Sequence, residues 1–292
     1  MTKNYELWTR NYELLEQIGE SRASRVFRAI HKPTSKILAI KVIPMQGEEK
    51  TGTRQYPEVQ FHCPLDHKNI LKCHDFFTDG KHGYLVTEYI DGFNLRQCIE
   101  RHPVQITDEN AWFNHSMDTA RKICEGHIYL HEQKIVHGQI KPENILVSRE
   151  LVGPYLMVYK EVKIADFALA GLAKGLFHPS SHVRGGDPKY MAPEQISKKR
   201  ATFRSDVFSL GVTLYELFTG RHPWNGEAGR KELLTRMLSP KFRPAPPSHT
   251  VAALPVFLDT ALMKMLEKEE RKRHSTMAEV WLDLSKAGAL RI

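Results

Sequence analysis

The sequence predicts an α+β chain, with a small strand-rich part over about residues 12–90 and a larger helical part over 91–285, together one domain within residues 1–292. Three observations predict this. Short apolar runs punctuated by Gly, Pro and Ser fill the first ninety residues. Asp91-Gly92 interrupts them. Beyond that point, apolar residues recur at helical spacing over stretches too long for strands.

The strands are expected at Tyr12 to Gly19, Arg25 to His31, Ile37 to Ile43 and Gly83 to Tyr89. Pro57 and Pro64 make any helix around Glu58 short or distorted. Thr107 is the expected N-cap of the first long helix, with Asp108 and Glu109 at its positive end. Phe113, Met117, Ala120, Cys124 and Ile128 then form one apolar helical face, read as core. Arg149 to Lys160 is longer than a tight turn and reads as a lengthened hairpin. Val207 to Thr219 is apolar nearly all round, which predicts a buried helix.

The apolar fraction of 41 % supports a real core and excludes compositional disorder. No uncharged apolar run reaches the roughly 18 residues that a bilayer span needs, and the first residues hold neither a signal-peptide core nor a Gly at position 2. Four cysteines without a C-x-x-C pair predict free thiols, hence a cytoplasmic location, and no zinc site. The net charge is +8, with basic runs at Lys198-Lys199-Arg200 and Arg271-Lys272-Arg273. No aromatic interleaving accompanies them, so they read as solvated faces, and no nucleic-acid partner or membrane insertion is expected.

A series of motifs carries the chemistry. Gly19-Glu20-Ser21-Arg22-Ala23-Ser24-Arg25-Val26 is either an ordinary hairpin or a phosphate lid in which serines replace two glycines. Leu38-Ala39-Ile40-Lys41 follows, and beyond it Glu58. Tyr84-Leu85-Val86-Thr87-Glu88-Tyr89 leads to the break at Asp91. Then come His137-Gly138-Gln139-Ile140-Lys141-Pro142-Glu143-Asn144, Val162-Lys163-Ile164-Ala165-Asp166-Phe167-Ala168, Gly186-Asp187-Pro188-Lys189-Tyr190-Met191-Ala192-Pro193-Glu194 and Asp206-Val207-Phe208-Ser209-Leu210-Gly211.

In this order and at these spacings, across residues 12–284, the series resembles the eukaryotic-type protein kinase family, with K-P-E-N leaning to its Ser/Thr branch. The resemblance implies a bilobal fold, a mostly β N-lobe with one helix and a mostly α C-lobe, in signalling with a protein substrate or partner. It implies ATP and Mg as cofactors. Nucleotide binding would fall to Ile18, Gly19, Val26, Ala39, Lys41, Glu58, Thr87, Glu88 and Leu146. Asn144 and Asp166 would hold magnesium, and Lys141 would face the transferred phosphoryl group. Thr87 takes the gatekeeper position, and Arg273 is expected to pair with Glu194.

The departures matter as much. Gln139 stands where the family has its catalytic aspartate, and an amide has no useful basicity. Gly138 removes an arginine that receives activation-loop phosphate, so Ser180 and Ser181 are not read as switches. Ala168 replaces the glycine of D-F-G. His62 replaces an aliphatic residue in the stack with Cys73, His137 and Phe167, or is simply a satisfied histidine. Asp187 replaces a threonine, so a carboxylate is lost at 139 and gained at 187. That gain is either neutral or a surrogate, with Asp187 pairing to Lys141. General-base help is worth about 10²–10⁴-fold and kinases run at roughly 1–100 s⁻¹, which leaves ~10⁻⁴–1 s⁻¹. Two readings stay open: a pseudokinase acting by partner binding, or a slow Ser/Thr kinase.

Overall fold

The computed structural model describes residues 11–21, 24–44, 65–79, 81–105, 109–148, 150–152, 156–158, 160–166, 187–197, 200–224 and 229–286. The chain divides into two compact units, 1–90 and 91–292. The helix expected around Glu58, along with His62, Thr107, Phe167, Ala168, Ser180 and Ser181, lies outside the described residues.

The first unit is an antiparallel sheet of β1 (Tyr12–Ser21), β2 (Ser24–His31), β3 (Lys36–Pro44), β4 (Cys73–Thr78) and β5 (His82–Glu88), in the order β1-β2-β3-β5-β4. Strand β4 was not foreseen: Cys73-His74-Asp75 opens it with polar residues that hide its apolar end. On one face Tyr12, Ala29, Leu38, Ile40, Tyr84 and Val86 form a core. Directly opposed residues share a face. The register sets Gly19 opposite Val26, Val26 opposite Lys41 and Ala39 opposite Thr87. Lys41 and Ala39 are two apart on one strand, so all five lie on the face away from that core.

The second unit begins with β6 (Gly92–Asn94), α1 (Leu95–Gln105) and α2 (Glu109–Glu132). Strand β7 (Ile145–Ser148) pairs with β6 and β10 (Val162–Ile164). Between them β8 (Glu150–Val152) and β9 (Leu156–Val158) make the lengthened hairpin. Then follow α3 (Pro193–Ile196), α4 (Phe203–Thr219), α5 (Arg230–Leu238), α6 (Pro247–Thr250), α7 (Val256–Met265) and α8 (Met277–Ser285). Thr202 caps α4 by accepting the Ser205 N–H, and α4 is buried from Ser205 to Thr219. A Cβ on Gly211 would stand 2.8 Å from that of Met265, so this glycine lets α7 pack close.

Two sequence expectations need correction here. Cys73 is disulfide-bonded with its partner outside the described residues, whereas Cys98 and Cys124 are buried free thiols. Sequence spacing does not report which sulfurs a fold brings into bonding range. Nor is Arg271-Lys272-Arg273 one solvated face. Arg273 is buried, and its two Nη atoms donate to the Glu194 oxygens at 2.7 and 2.9 Å. Burial would raise the Glu194 carboxyl, yet the Arg273 hydrogen bonds and charge hold it below the usual carboxylate range. This pair joins α3 to the segment before α8.

Arg273→Ala should therefore cost about 3–5 kcal/mol in urea unfolding, because it strands a buried carboxylate. A second test concerns His127 on α2, which is fully buried and donates Nδ1–H to the Ile123 carbonyl at 2.9 Å. Burial lowers its pKa from the ordinary 6.5 to about 3. Between those values the unfolded chain binds a proton that the folded chain refuses, so stability falls as pH drops through this window. His127→Leu should flatten that loss. Equal slopes for both proteins between pH 6.5 and 4 would contradict it.

Candidate functional site

A turn of backbone from His137 to Asn144 leads into β7, and β10 leads out to Asp166. Antiparallel pairing of Ile145 with Ile164 closes this hairpin. It brings Asn144 beside the start of the D-F-A sequence, where Ala165 N–H donates to the Asn144 carbonyl at 2.8 Å. The Asn144 side chain is turned by its Nδ2, which donates to the Gln139 carbonyl at 2.9 Å. Its Oδ1 accepts no hydrogen bond from any described residue. Asp166 holds a left-handed backbone at φ 64° and is half-buried. An amide oxygen and a carboxylate are hard donors of the kind magnesium prefers, so these two residues fit that ion. Among the described residues no group of three His, Cys, Asp or Glu side chains could hold a metal alone.

The loop hangs on one carboxylate. Asp206, fully buried in the first turn of α4, accepts the His137 and Gly138 N–H groups at 2.8 Å each and faces the His131 Nε2 at 2.9 Å. Burial would raise its pKa, but the His131 hydrogen bond and the nearby histidines keep it low. Burial pushes the pKa of His137 down, so its ring is neutral. Gly138 sits at φ 74°, in the left-handed region. The catalytic loop also receives Gln195 Nε2 on the Gly138 carbonyl at 3.2 Å.

Gln139, Lys141 and Asp187 line one pocket, with Tyr190, Met191 and Ser209. The gain at 187 thus sits with the loss at 139. The expected ion pair is not formed: among the described residues none joins Asp187 to Lys141. Asp187 Oδ1 instead accepts the Lys189 N–H at 3.1 Å, a short local turn that competes for that oxygen.

In the first unit, Gly19, Val26, Ala39, Lys41 and Thr87 share a face, as the register shows. Glu88 does not join them. It opposes Leu38 on the core side, and its Oε1 accepts the Lys72 N–H at 2.8 Å. Ile18 is exposed beside a strand irregularity. Glu58 lies outside the described residues. In the second unit Leu146 sits on β7 between Asn94 and Lys163.

Sequence reasoning missed a polar knot around Arg96. Its Nη2 contacts the Tyr190 hydroxyl and donates to Glu216 Oε2 at 2.7 Å, and its Nε donates to Glu143 Oε1 at 3.2 Å. Tyr190 also donates to Glu216 at 2.7 Å. The knot ties α1, the catalytic loop and α4 to the wall of the pocket. Its one sequence signal was Glu216, the single charge in the apolar stretch from Val207 to Thr219.

Comparison with known proteins agrees with this geometry. A family described as the protein kinase domain matches residues 12–282. A probable serine/threonine-protein kinase of Clostridium perfringens is 27 % identical, over 94 % of this chain and 38 % of its own length. Serine/threonine-protein kinase PLK4 of Drosophila grimshawi is 30 % identical, over 94 % of this chain and 33 % of its own. The chain thus spans roughly a third of such relatives. The kinase domain of Mycobacterium tuberculosis PknI superposes with a TM-score of 0.67 at 20 % identity, covering 95 % of this chain and 96 % of the other, a likeness of fold. With strands first, helices after and the motif series spread across both units, the chain belongs to the protein kinase domain family.

Proposed function

We infer that this chain binds magnesium–ATP and transfers its phosphoryl group poorly, acting as a pseudokinase or strongly impaired Ser/Thr kinase that works mainly by docking to a protein partner. One combination carries the reading. The family resemblance puts Gln139 where the proton acceptor would be, and Asn144 and Asp166 are held at the mouth of the β7–β10 hairpin. The amide cannot take a proton, but nucleotide and metal binding do not need it. The shared face of Gly19, Val26, Ala39, Lys41 and Thr87 supports a nucleotide role for the first unit, and the relatives' names support a hydroxyl acceptor. When bound, magnesium would neutralise phosphate charge.

Thermal unfolding with ATP, with and without magnesium, tests this reading. A ligand selective for the folded state raises stability by about 2.7 kcal/mol at a hundredfold excess over Kd. The expected result is a rise in Tm with Mg-ATP that Asp166→Asn reduces. No rise under any nucleotide condition would sink the reading.

A further inference from the structure

We propose that Asp187 is a catalytic residue of this pocket, accepting the proton of an attacking Ser or Thr hydroxyl where Gln139 cannot. The proposal rests on the Mg-ATP reading above and deepens it by naming what carries the residual transfer.

The geometry points to Asp187 by elimination among the pocket's own groups. Of the side chains lining it, Gln139 offers an amide, Lys141 an ammonium with donors only, and Tyr190 a hydroxyl already given to Glu216. The Ser209 hydroxyl donates to the Tyr190 carbonyl at 2.7 Å. Among the described residues, Asp187 is the one carboxylate lining it. Its Oδ1 is fixed by the Lys189 N–H, and its Oδ2 accepts no hydrogen bond from any described residue. Lys141 makes no ion pair among the described residues either. Among the described residues, a carboxylate with one oxygen unbonded and a cation in no ion pair therefore line the same pocket as position 139.

Asp187 is also held still. Tyr190 N–H donates to the Asp187 carbonyl at 3.0 Å, and His222 Nε2 meets the Lys189 carbonyl at 3.1 Å. The Tyr190 ring is anchored through Glu216 and Arg96. Such anchoring lets a side chain keep the placement that proton transfer demands.

The step balances. The acceptor oxygen bonds to the γ-phosphorus as the bond from that phosphorus to the β-phosphate oxygen breaks. The electron pair leaves with ADP. The hydroxyl proton passes to the Asp187 carboxylate and then to water. Lys141 faces the charge on the transferred group.

The experiment compares wild type, Asp187→Asn, Gln139→Asp, the double variant and Asp166→Asn. Radiolabelled γ-phosphate transfer is followed against pH, with Mg-ATP thermal stabilisation measured on the same proteins. Asparagine keeps an oxygen for the Lys189 N–H but loses basicity. Asp187→Asn should slow transfer about 100-fold or more, abolish the acidic limb of the pH profile and leave Mg-ATP stabilisation unchanged. Gln139→Asp should restore transfer in the Asp187→Asn background. Equal rates for wild type and Asp187→Asn would overturn the proposal. So would a wild-type rate no greater than that of Asp166→Asn, or failure of Gln139→Asp to rescue, which would mark Asp187 as structural. Each of these, with stabilisation intact, leaves the Mg-ATP reading standing. No stabilisation of wild type removes both.

Discussion

The candidate site depends on the buried carboxylate of Asp206. Two consecutive backbone N–H groups of the catalytic loop end on it, together with a histidine from α2. A buried charge is costly unless every face is satisfied. Here three donors meet it, so the loop and the first turn of α4 are bound to a single arrangement. An Asn at 206 would turn a donor amide toward one of those N–H groups and leave it unmade, at about 1–3 kcal/mol. Everything downstream, from the turn of Asn144 to the start of β7, inherits its placement from this contact.

A supporting frame surrounds Gln139 without drawing on its side chain. The Arg273–Glu194 pair, the Asp206 anchor and the Arg96 knot hold α3, α4, the catalytic loop and the segment beside Asp187 together. These are charge-assisted, largely buried contacts, and they concern positions rather than proton transfer. Losing basicity at 139 touches none of them. A fold of this kind can therefore lose its chemistry and keep its shape, which is why shape alone does not decide between enzyme and docking module.

Much of the fold was legible in the sequence because period and punctuation speak locally. Strands β1, β2, β3 and β5 and helix α4 carry patterns their own residues impose. Strand β4 was not legible, since polar residues open it and mask the hairpin it makes with β5. The Glu194–Arg273 pair was legible only through family resemblance, the two residues being 79 apart. The co-location of Gln139, Lys141 and Asp187 was anticipated in the same way; an ion pair of Lys141 with Asp187 was expected too and is not formed among the described residues. Whether an ammonium reaches a carboxylate depends on rotamers and local competition, here the Lys189 N–H. Arg96 escaped altogether, because an arginine at a helix start reads as surface until its partners are known.

The left-handed backbone at Gly138 gives side chains at positions 138 and 139 unequal conformational costs. Position 139 has no positive φ, so exchanging its amide for an acid asks nothing of the main chain. Position 138 is otherwise: any side chain there must take up a torsion worth roughly 1–2 kcal/mol of strain. An acid at 139 would therefore fit the present main chain unchanged, whereas an arginine at 138 would have to carry the strain that the glycine avoids.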